Sequence, residues 1–227
     1  HAKAEAVANL NKDRAFRLWA SSKGGLYIPV DAATRPNPYM AHIPDRDIVA
    51  GNGKVLTLIN PATMIREVGE RQGRLYGTKV KITGKIVLNP INVADEWERQ
   101  ALDAFLRDKE KTEVVGVEEM GGAPYLRLIQ PLYMELDCLK CHAITGIKVG
   151  GLRGATGVSV PLAPYLAIER AAVANLRATH GGIWLAGMGL IGFFFYRSKL
   201  YEAERIASES ELRKLSRAVE RSASSVM

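Results

Sequence analysis

The chain has 227 residues, of which 47% are hydrophobic, and a formal net charge of +7. This length and apolar content support a real hydrophobic core in one sizeable domain with additional segments. The basic residues are spread along the chain without a recognition motif for nucleic acid. The positive charge therefore favours a position next to a membrane. Because no recognition motif is present, we do not expect a DNA or RNA partner.

The first sixty residues predict a helix, a short extended segment and a loop. Residues 2–20 are expected to form the helix and residues 26–29 the extended segment. The inward face of this helix would carry Ala4, Ala8, Ala15, Leu18 and Trp19. Three prolines between residues 31 and 44 exclude regular helix, so that segment is predicted to be a loop, and it carries Met40 and His42.

Two further helices are predicted in the middle of the chain. Asn60 followed by Pro61 is typical of a helix start, with the asparagine as N-cap, and the helix is expected to end near Gly69 or Gly73. Asn92 is predicted to cap the next helix. The inward residues would be Met64, Ile65 and Val68 in the first helix and Trp97, Ala101 and Phe105 in the second.

The remaining patterns indicate strands. Residues 78–83 alternate polar and apolar side chains, and residues 86–88 continue this strand. Residues 113–120 and 125–132 are predicted to form a hairpin, because two glycines separate them. Residues 155–162 form the last predicted strand. Helices together with an antiparallel hairpin indicate an α+β fold.

Both cysteines of the chain lie in one short motif, Cys138-Leu139-Lys140-Cys141-His142. Two thiols separated by two residues and followed directly by histidine have the spacing of a c-type haem attachment site. The thiols of Cys138 and Cys141 would bond to the two vinyl groups of one porphyrin, and His142 would be the proximal ligand of the iron. The motif therefore predicts one covalent haem c per chain.

Three other interpretations of the motif stay open. A structural zinc site needs two more closely spaced ligands. The chain has no third cysteine, and its other histidines are scattered, at His1, His42 and His180. A thiol redox pair would be expected between a strand and a helix of a thioredoxin-like unit, which is not visible here. The last interpretation is a plain disulfide or a chance pentapeptide.

A six-coordinate haem needs a second axial ligand, normally histidine or methionine from elsewhere in the chain. His42, in the proline-rich loop, is our first candidate for this distal ligand. Met40 is a rival two residues away, and an open distal position is the third alternative. Three other methionines lie in apolar patterns that are typical of a core: Met64, Met120 and Met134.

A helix predicted to open at Pro164 leads into an uncharged stretch. Residues 181–196 contain no charged side chain and include Trp184 and Tyr196 as interfacial anchors, which is typical of a membrane span. Basic residues are more frequent on the C-terminal side, so that side is predicted to be cytoplasmic. We also expect an uncleaved membrane helix or a removed signal segment upstream of His1.

These observations divide the chain into three predicted parts. Residues 1–179 would form a periplasmic haem-binding domain, residues 180–197 a transmembrane helix, and residues 198–227 a cytoplasmic helical linker. The linker has an apolar seam that is compatible with a two-stranded coiled coil. The seam consists of Leu200, Ala203, Ala207, Leu212, Leu215 and Val219.

Several short motifs together carry a family resemblance. They are Asn60-Pro61-Ala62, Thr83-Gly84, Trp97-Glu98, Ala104-Phe105 and the Cys138 to His142 motif after Pro131-Leu132. In their order and spacing the chain resembles the Tll0287-like (DUF3365) haem-sensor domains over about residues 3–175. The resemblance implies a PAS-like antiparallel sheet with long flanking helices. Some relatives are thought to use a cysteine as the distal ligand, but both cysteines here belong to the motif.

The resemblance also implies a signalling role. Such ectodomains occur in bacterial histidine kinases, diguanylate cyclases and chemoreceptors, and residues 212–220 resemble the helix that leads into a cytoplasmic PAS domain. The chain is therefore expected to be the input part of a dimeric sensor in the bacterial inner membrane, responding to redox state or a small gas. The alternative is a membrane-tethered monohaem cytochrome that transfers electrons to a redox partner.

An enzyme is not expected from this chain itself. No nucleophile with its base and no catalytic pair of carboxylates stands out in the sequence. The glycines after His142 do not have the spacing of a phosphate-binding loop.

Overall fold

The computed structural model describes the backbone of residues 1–224 and the side chains of residues 1–218. The chain divides into a compact unit, His1–Leu166, and a second unit, Ala167–Met227. The elements in chain order are α1 (Ala2–Ser22), β1 (Leu26–Pro29), β2 (Asp47–Val49), β3 (Val55–Ile59), α2 (Pro61–Tyr76), β4 (Lys79–Thr83), α3 (Glu96–Arg107), β5 (Val114–Met120), β6 (Ala123–Tyr133), α4 (Leu139–His142), β7 (Leu152–Pro161) and α5 (Ala163–Ser224).

Two antiparallel sheets confirm the predicted α+β class. The larger sheet has the strand order β4-β7-β6-β5, and the smaller has the order β1-β3-β2. The predicted hairpin of β5 and β6 is present, and Gly121 and Gly122 close it with φ angles of +64° and +78°. Positive φ at both central residues suits the twist of a two-residue hairpin, and glycine adopts it without strain. Strands β2 and β3 were not predicted.

The predicted inward face of α1 is wrong. The helix forms as expected, but Ala4, Ala8, Ala15, Leu18 and Trp19 are exposed. Alanines occur all around the helix, so they define no face. The buried side includes two charged residues that a hydrophobic pattern does not predict, and it consists of Ala2, Ala6, Leu10, Asp13, Arg17 and Ala20.

Helix α2 begins where the sequence predicts, but ends later. The Asn60 side chain accepts a hydrogen bond from the Thr63 backbone N–H at 2.8 Å, which confirms the N-cap. The helix passes Gly69, where a Cβ atom would lie 2.8 Å from Val80 Cβ, so this glycine permits close packing on β4. It ends at Gly77, which has a left-handed φ of +77°.

The inward face predicted for α2 is right only in part. Ile65 is buried, at 2% exposure, whereas Val68 is 47% exposed. Met64 is half-buried. Val68 faces solvent because Thr63 and Gly69 occupy the buried side together with Ile65.

Two predictions between β4 and α3 are wrong. Residues 86–88 do not continue the strand, because the chain leaves the sheet at Gly84, which makes an isolated bridge to Val93. Asn92 ends a short 3-10 turn, and Asp95 is the N-cap of α3, in a capping box with Glu98. The predicted inward residues of α3 are right, since Ala101 and Phe105 are each 1% exposed and Trp97 is half-buried.

A buried charge cluster joins α3 to the larger sheet. The Glu98 carboxylate, with 3% of its side chain exposed, accepts hydrogen bonds from Lys81 Nζ at 2.7 Å, Thr83 Oγ1 at 3.1 Å and Arg127 Nη2 at 3.1 Å. Arg127 also pairs with Asp95 at 2.8 Å. Each charged group in this cluster therefore has a partner, which is the condition for burying it.

Replacing Glu98 by alanine is expected to lower the free energy of unfolding by about 3–5 kcal/mol, because Arg127 and Lys81 would lose a buried partner. Denaturant unfolding of the detergent-solubilised chain, followed by circular dichroism, measures this change. The control is Asp103→Asn, which removes a pair with Lys85 whose side chains are both 44% exposed, and it should leave the unfolding midpoint unchanged. Equal effects of the two variants would contradict the assignment.

Both ends of the compact unit meet at Glu5 of α1. The Tyr165 hydroxyl, in the first turn of α5, donates a hydrogen bond to the Glu5 carboxylate. Thr78 Oγ1 donates to the same carboxylate at 3.4 Å. This contact fixes the last residues of the unit against its first helix.

One helix of the described chain, α5, is long and apolar enough to cross a membrane. Its most apolar window has a mean hydropathy of 1.3. The predicted domain boundaries after residues 179 and 197 both fall inside α5 and stay predictions. Of the predicted linker, Val219 and residues 225–227 lie outside the described residues.

Candidate functional site

The Cys138 to His142 motif directly follows the sheet. Strand β6 ends at Tyr133, and the motif begins in a 3-10 turn that passes into the short helix α4. Cys138 has helical backbone angles, φ −72° and ψ −24°. Cys141 follows three residues later, so this helical backbone places both thiols on the same side of the turn.

Two contacts hold the motif in place. Thr145 Oγ1 donates a hydrogen bond to the His142 carbonyl at 2.7 Å. Lys140 Nζ donates to the Gly24 carbonyl at 3.3 Å, just after α1. The motif is therefore fixed to its own following turn and to the end of the first helix.

Cys138, Cys141 and His142 line one hollow, which we call the thiol hollow. The end of α1, the start of α2 and strands β4 and β7 form its walls. Both cysteines are free thiols and half-buried. Two thiols and an imidazole thus face a single space that several elements of the fold enclose.

A second hollow adjoins the first and shares Cys141 and His142 with it. We call it the loop hollow, because Met40 of the proline-rich loop lines it. Met40 is 2% exposed and packs with Ile43 and Leu58, and Cys141 packs against this group. The loop therefore delivers a buried thioether to the same site as the motif.

The other candidates for a distal ligand lie differently. His42 is exposed and lines neither hollow, but its charge acts on His142. Met134 is 1% exposed in the core, and neither Met64 nor Met120 lines the two hollows. Of the sequence-predicted candidates, Met40 is thus the one brought into contact with the motif.

Burial controls the charge of the motif. Desolvation lowers the pKa of His142 to about 4, and the nearby charges of Arg153 and His42 lower it in the same direction. Its imidazole is therefore neutral at physiological pH, which is the form that binds a metal. Desolvation also raises the pKa of the Cys141 thiol.

Two arginines of the site were missed by the sequence analysis. Arg17 of α1 and Arg153 of β7 both line the thiol hollow. Desolvation lowers the pKa of Arg153, and the charge of Arg17 lowers it further, while Cys138 and Cys141 act in the opposite direction. The sequence carried little signal for them, because a single arginine in a charged helix or at a strand start is typical of a solvated surface.

The donor set limits what this site can bind. Within the described residues, no group of three or more His, Cys, Asp or Glu side chains is close enough to hold a metal ion. A protein-only tetrahedral site needs four such ligands.

The chain is similar to proteins of known structure or family. The crystal structure of the cyanobacterial heme-protein Tll0287 is similar to this chain, with 14% sequence identity and a TM-score of 0.46. The similarity covers 68% of this chain and 91% of that chain. No curated protein matches. A sequence model of the Tll0287-like family matches residues 2–161, which confirms the predicted resemblance, and the chain therefore belongs to the Tll0287-like family.

Proposed function

We propose that the compact unit binds one covalent haem c. Each thiol, of Cys138 and of Cys141, would add across one vinyl group of the porphyrin, so that sulfur bonds to one vinyl carbon and hydrogen to the other. His142 would be the proximal axial ligand. The observation that carries this proposal is the thiol hollow, which is lined by both cysteines and by His142, whose imidazole is neutral. Membership of the Tll0287-like family supports it.

We propose further that the haem serves a sensor. Bound haem supplies an iron centre whose redox state or distal ligation responds to electrons or to a small gas. A sensor needs two states of similar free energy, so that a modest difference in binding changes their populations. The loop hollow is the distal candidate, and its loop, residues 31–44, has no strand or α-helix to fix it.

We propose in addition that the chain is anchored in a membrane by helix α5. Helix α5 would cross the bacterial inner membrane within residues 180–197, with the compact unit in the periplasm and the basic C-terminal side in the cytoplasm. The apolar length of α5 supports a span, and the basic residues after residue 196 support the orientation. The output would be a histidine kinase or diguanylate cyclase region, and the sensor would act as a homodimer.

Electron transfer is the second candidate function. The specific observation in its favour is the buried Met40 in the loop hollow, because histidine and methionine are the axial pair of many electron-carrying cytochromes c. A permanent six-coordinate iron would exchange electrons with a redox partner and would not respond to gases.

Optical and EPR spectra of the purified chain test both proposals. Spectra of the oxidised form, the reduced form and the reduced form with carbon monoxide or nitric oxide would be recorded. A c-type haem that binds either gas supports the sensor. A haem that stays six-coordinate under both gases and exchanges electrons rapidly supports the relay, and a chain without haem after expression with a cytochrome c maturation system overturns both.

A matched pair of variants identifies the distal ligand. Met40→Ala is expected to convert a low-spin ferric haem to a high-spin one, because it removes the buried thioether from the loop hollow. His42→Ala is the control and should leave the spin state unchanged, since His42 is exposed. EPR at low temperature measures both. The reverse result would establish His42 as the ligand, as the sequence first predicted.

A further inference from the structure

The first half of α1 packs on the larger sheet through apolar side chains. Leu10 belongs to one buried cluster with Leu128 of β6 and Val158 of β7. The next buried residue along the helix is Asp13, which is 4% exposed. Here the apolar packing ends, and residues of α1, β4, β6 and β7 line a hollow of about 290 Å³, which we call the Asp13 hollow.

Two buried polar atoms of this hollow lack a partner. Within the described part of the chain, Asp13 Oδ2 and the Tyr133 hydroxyl are buried and make no hydrogen bond, and both residues line the hollow. The other carboxylate oxygen of Asp13, Oδ1, lies 3.5 Å from Lys12 Nζ. Burial raises the pKa of the Asp13 carboxyl, and the charge of Lys12 offsets this only in part. Because buried polar groups are normally hydrogen-bonded, these two atoms indicate a bound molecule.

The hollow is larger than a single ordered water requires. One water needs roughly 10–15 Å³ of such a space, whereas the pockets of small ligands begin at about 300 Å³. A hollow of about 290 Å³ therefore has room for a small organic molecule. Its floor is polar, because Gln130 of β6 and Thr156 of β7 line it as paired residues of neighbouring strands. Amide and hydroxyl groups at the floor suit a ligand that forms hydrogen bonds.

The charges around the hollow differ between its buried and its exposed residues. Asp13 supplies a buried carboxylate, which pairs with Lys12 and not with the neighbouring buried Arg17. The exposed charged residues that line the hollow are three cations and one carboxylate: Arg14, Lys109, Lys111 and Glu135. An amine alone would be repelled by these cations, and a simple anion would be repelled by Asp13. A molecule that carries both charges matches both parts of the hollow.

We infer that the Asp13 hollow binds a small zwitterion of the chemical class of the α-amino acids. The ammonium group of the ligand would donate a hydrogen bond to Asp13 Oδ2, and the Tyr133 hydroxyl would donate one to its carboxylate. The surrounding cations would compensate the negative charge of that carboxylate. The inference does not rest on haem binding. It gives the compact unit a second ligand site, which borders the thiol hollow through Arg17.

Thermal unfolding of the full chain in detergent, with each of the common α-amino acids at millimolar concentration, tests for this ligand. A molecule that binds only the folded state raises the melting temperature, and isothermal titration calorimetry then gives its Kd. At least one amino acid is expected to bind. Its N-acetyl derivative, which lacks the ammonium group, and its amide, which lacks the carboxylate, should each bind at least about tenfold more weakly.

Two variants locate the binding at the hollow. Asp13→Asn is expected to raise the Kd about 10- to 100-fold and Tyr133→Phe about 2- to 10-fold, as for the loss of a charged and a neutral hydrogen bond. Without ligand, both variants should melt no lower than the wild type, because each loses a polar group that has no partner. A purely structural role of Asp13 would lower the melting temperature and leave the Kd unchanged. Tyr125→Phe is the matched control, since Tyr125 is on the same strand but does not line the hollow.

Three results would overturn the inference. The first is that none of the amino acids raises the melting temperature or gives binding heat. The second is a Kd that neither Asp13→Asn nor Tyr133→Phe changes, and the third is an N-acetyl derivative that binds as tightly as the amino acid. Should Asp13→Asn fail to fold, Tyr133→Phe and the ligand derivatives decide the question. Intact mass reports haem separately, so a chain without haem overturns the proposed function and leaves this inference standing.

Discussion

Replacing His142 by alanine is expected to abolish the low-spin haem spectrum of this protein while the haem stays covalently attached. The imidazole is the proposed proximal ligand, and the two thiols are separate side chains that the substitution leaves in place. Loss of one strong axial ligand leaves the iron five-coordinate or bound to water, which gives a high-spin ferric centre. Optical and EPR spectra report the spin state, and intact mass reports the attachment.

The matched control for this experiment is His1→Ala. His1 is exposed at the start of α1 and lines neither hollow, so its loss should leave the spectrum unchanged. Added imidazole should restore a low-spin spectrum in His142→Ala by occupying the vacated position. A low-spin spectrum that survives in His142→Ala without added imidazole would show that another residue is the proximal ligand.

Replacing both cysteines by serine is expected to reduce covalent haem from one per chain to none. Serine hydroxyls do not form thioether bonds with vinyl groups, so any haem in this variant would be extracted by acidified organic solvent. Intact mass and the absorbance of the extracted protein measure the loss. Haem that withstands extraction in the double variant would contradict the proposed attachment.

The single variants Cys138→Ser and Cys141→Ser serve as internal controls. Each should keep haem through one thioether bond, and the unreacted vinyl group should move the absorption bands to longer wavelength. Because both thiols are half-buried in the same hollow, we expect neither single variant to lose haem completely. A single variant with the full wild-type spectrum would show that its cysteine takes no part in attachment.

The sequence predicted those elements whose signals are local. The N-cap at Asn60 and the two-glycine hairpin are specified by a few adjacent residues, and both are present in the structure. The caps of α3 show the limit of this reasoning. Asn92 and Asp95 are both suitable capping residues, and Asp95 is used because Glu98 completes a capping box with it. Glu98 is in turn held by contacts with distant strands, which no local pattern contains.

In the candidate site, too, the residues that are adjacent in sequence were predicted, and those that only the fold brings together were not. The Cys138 to His142 motif is contiguous, so its placement around one hollow followed from its spacing. The burial of Met40 relative to His42 depends on packing against Leu58, a residue of a strand that was not predicted. Arg17 and Arg153 come from opposite ends of the unit, and only the fold brings them to the same hollow.

The contact between Glu5 and Tyr165 has a consequence for protein engineering. The contact holds the first and last segments of the compact unit next to each other. The unit can therefore be inserted into a surface loop of a host protein without separating the two ends of that loop. It also favours circular permutation of this unit, with the segments around Glu5 and Tyr165 joined by a short linker and new ends opened at the exposed Gly121-Gly122 turn. Such a permuted unit would carry the motif in the interior of a rearranged chain.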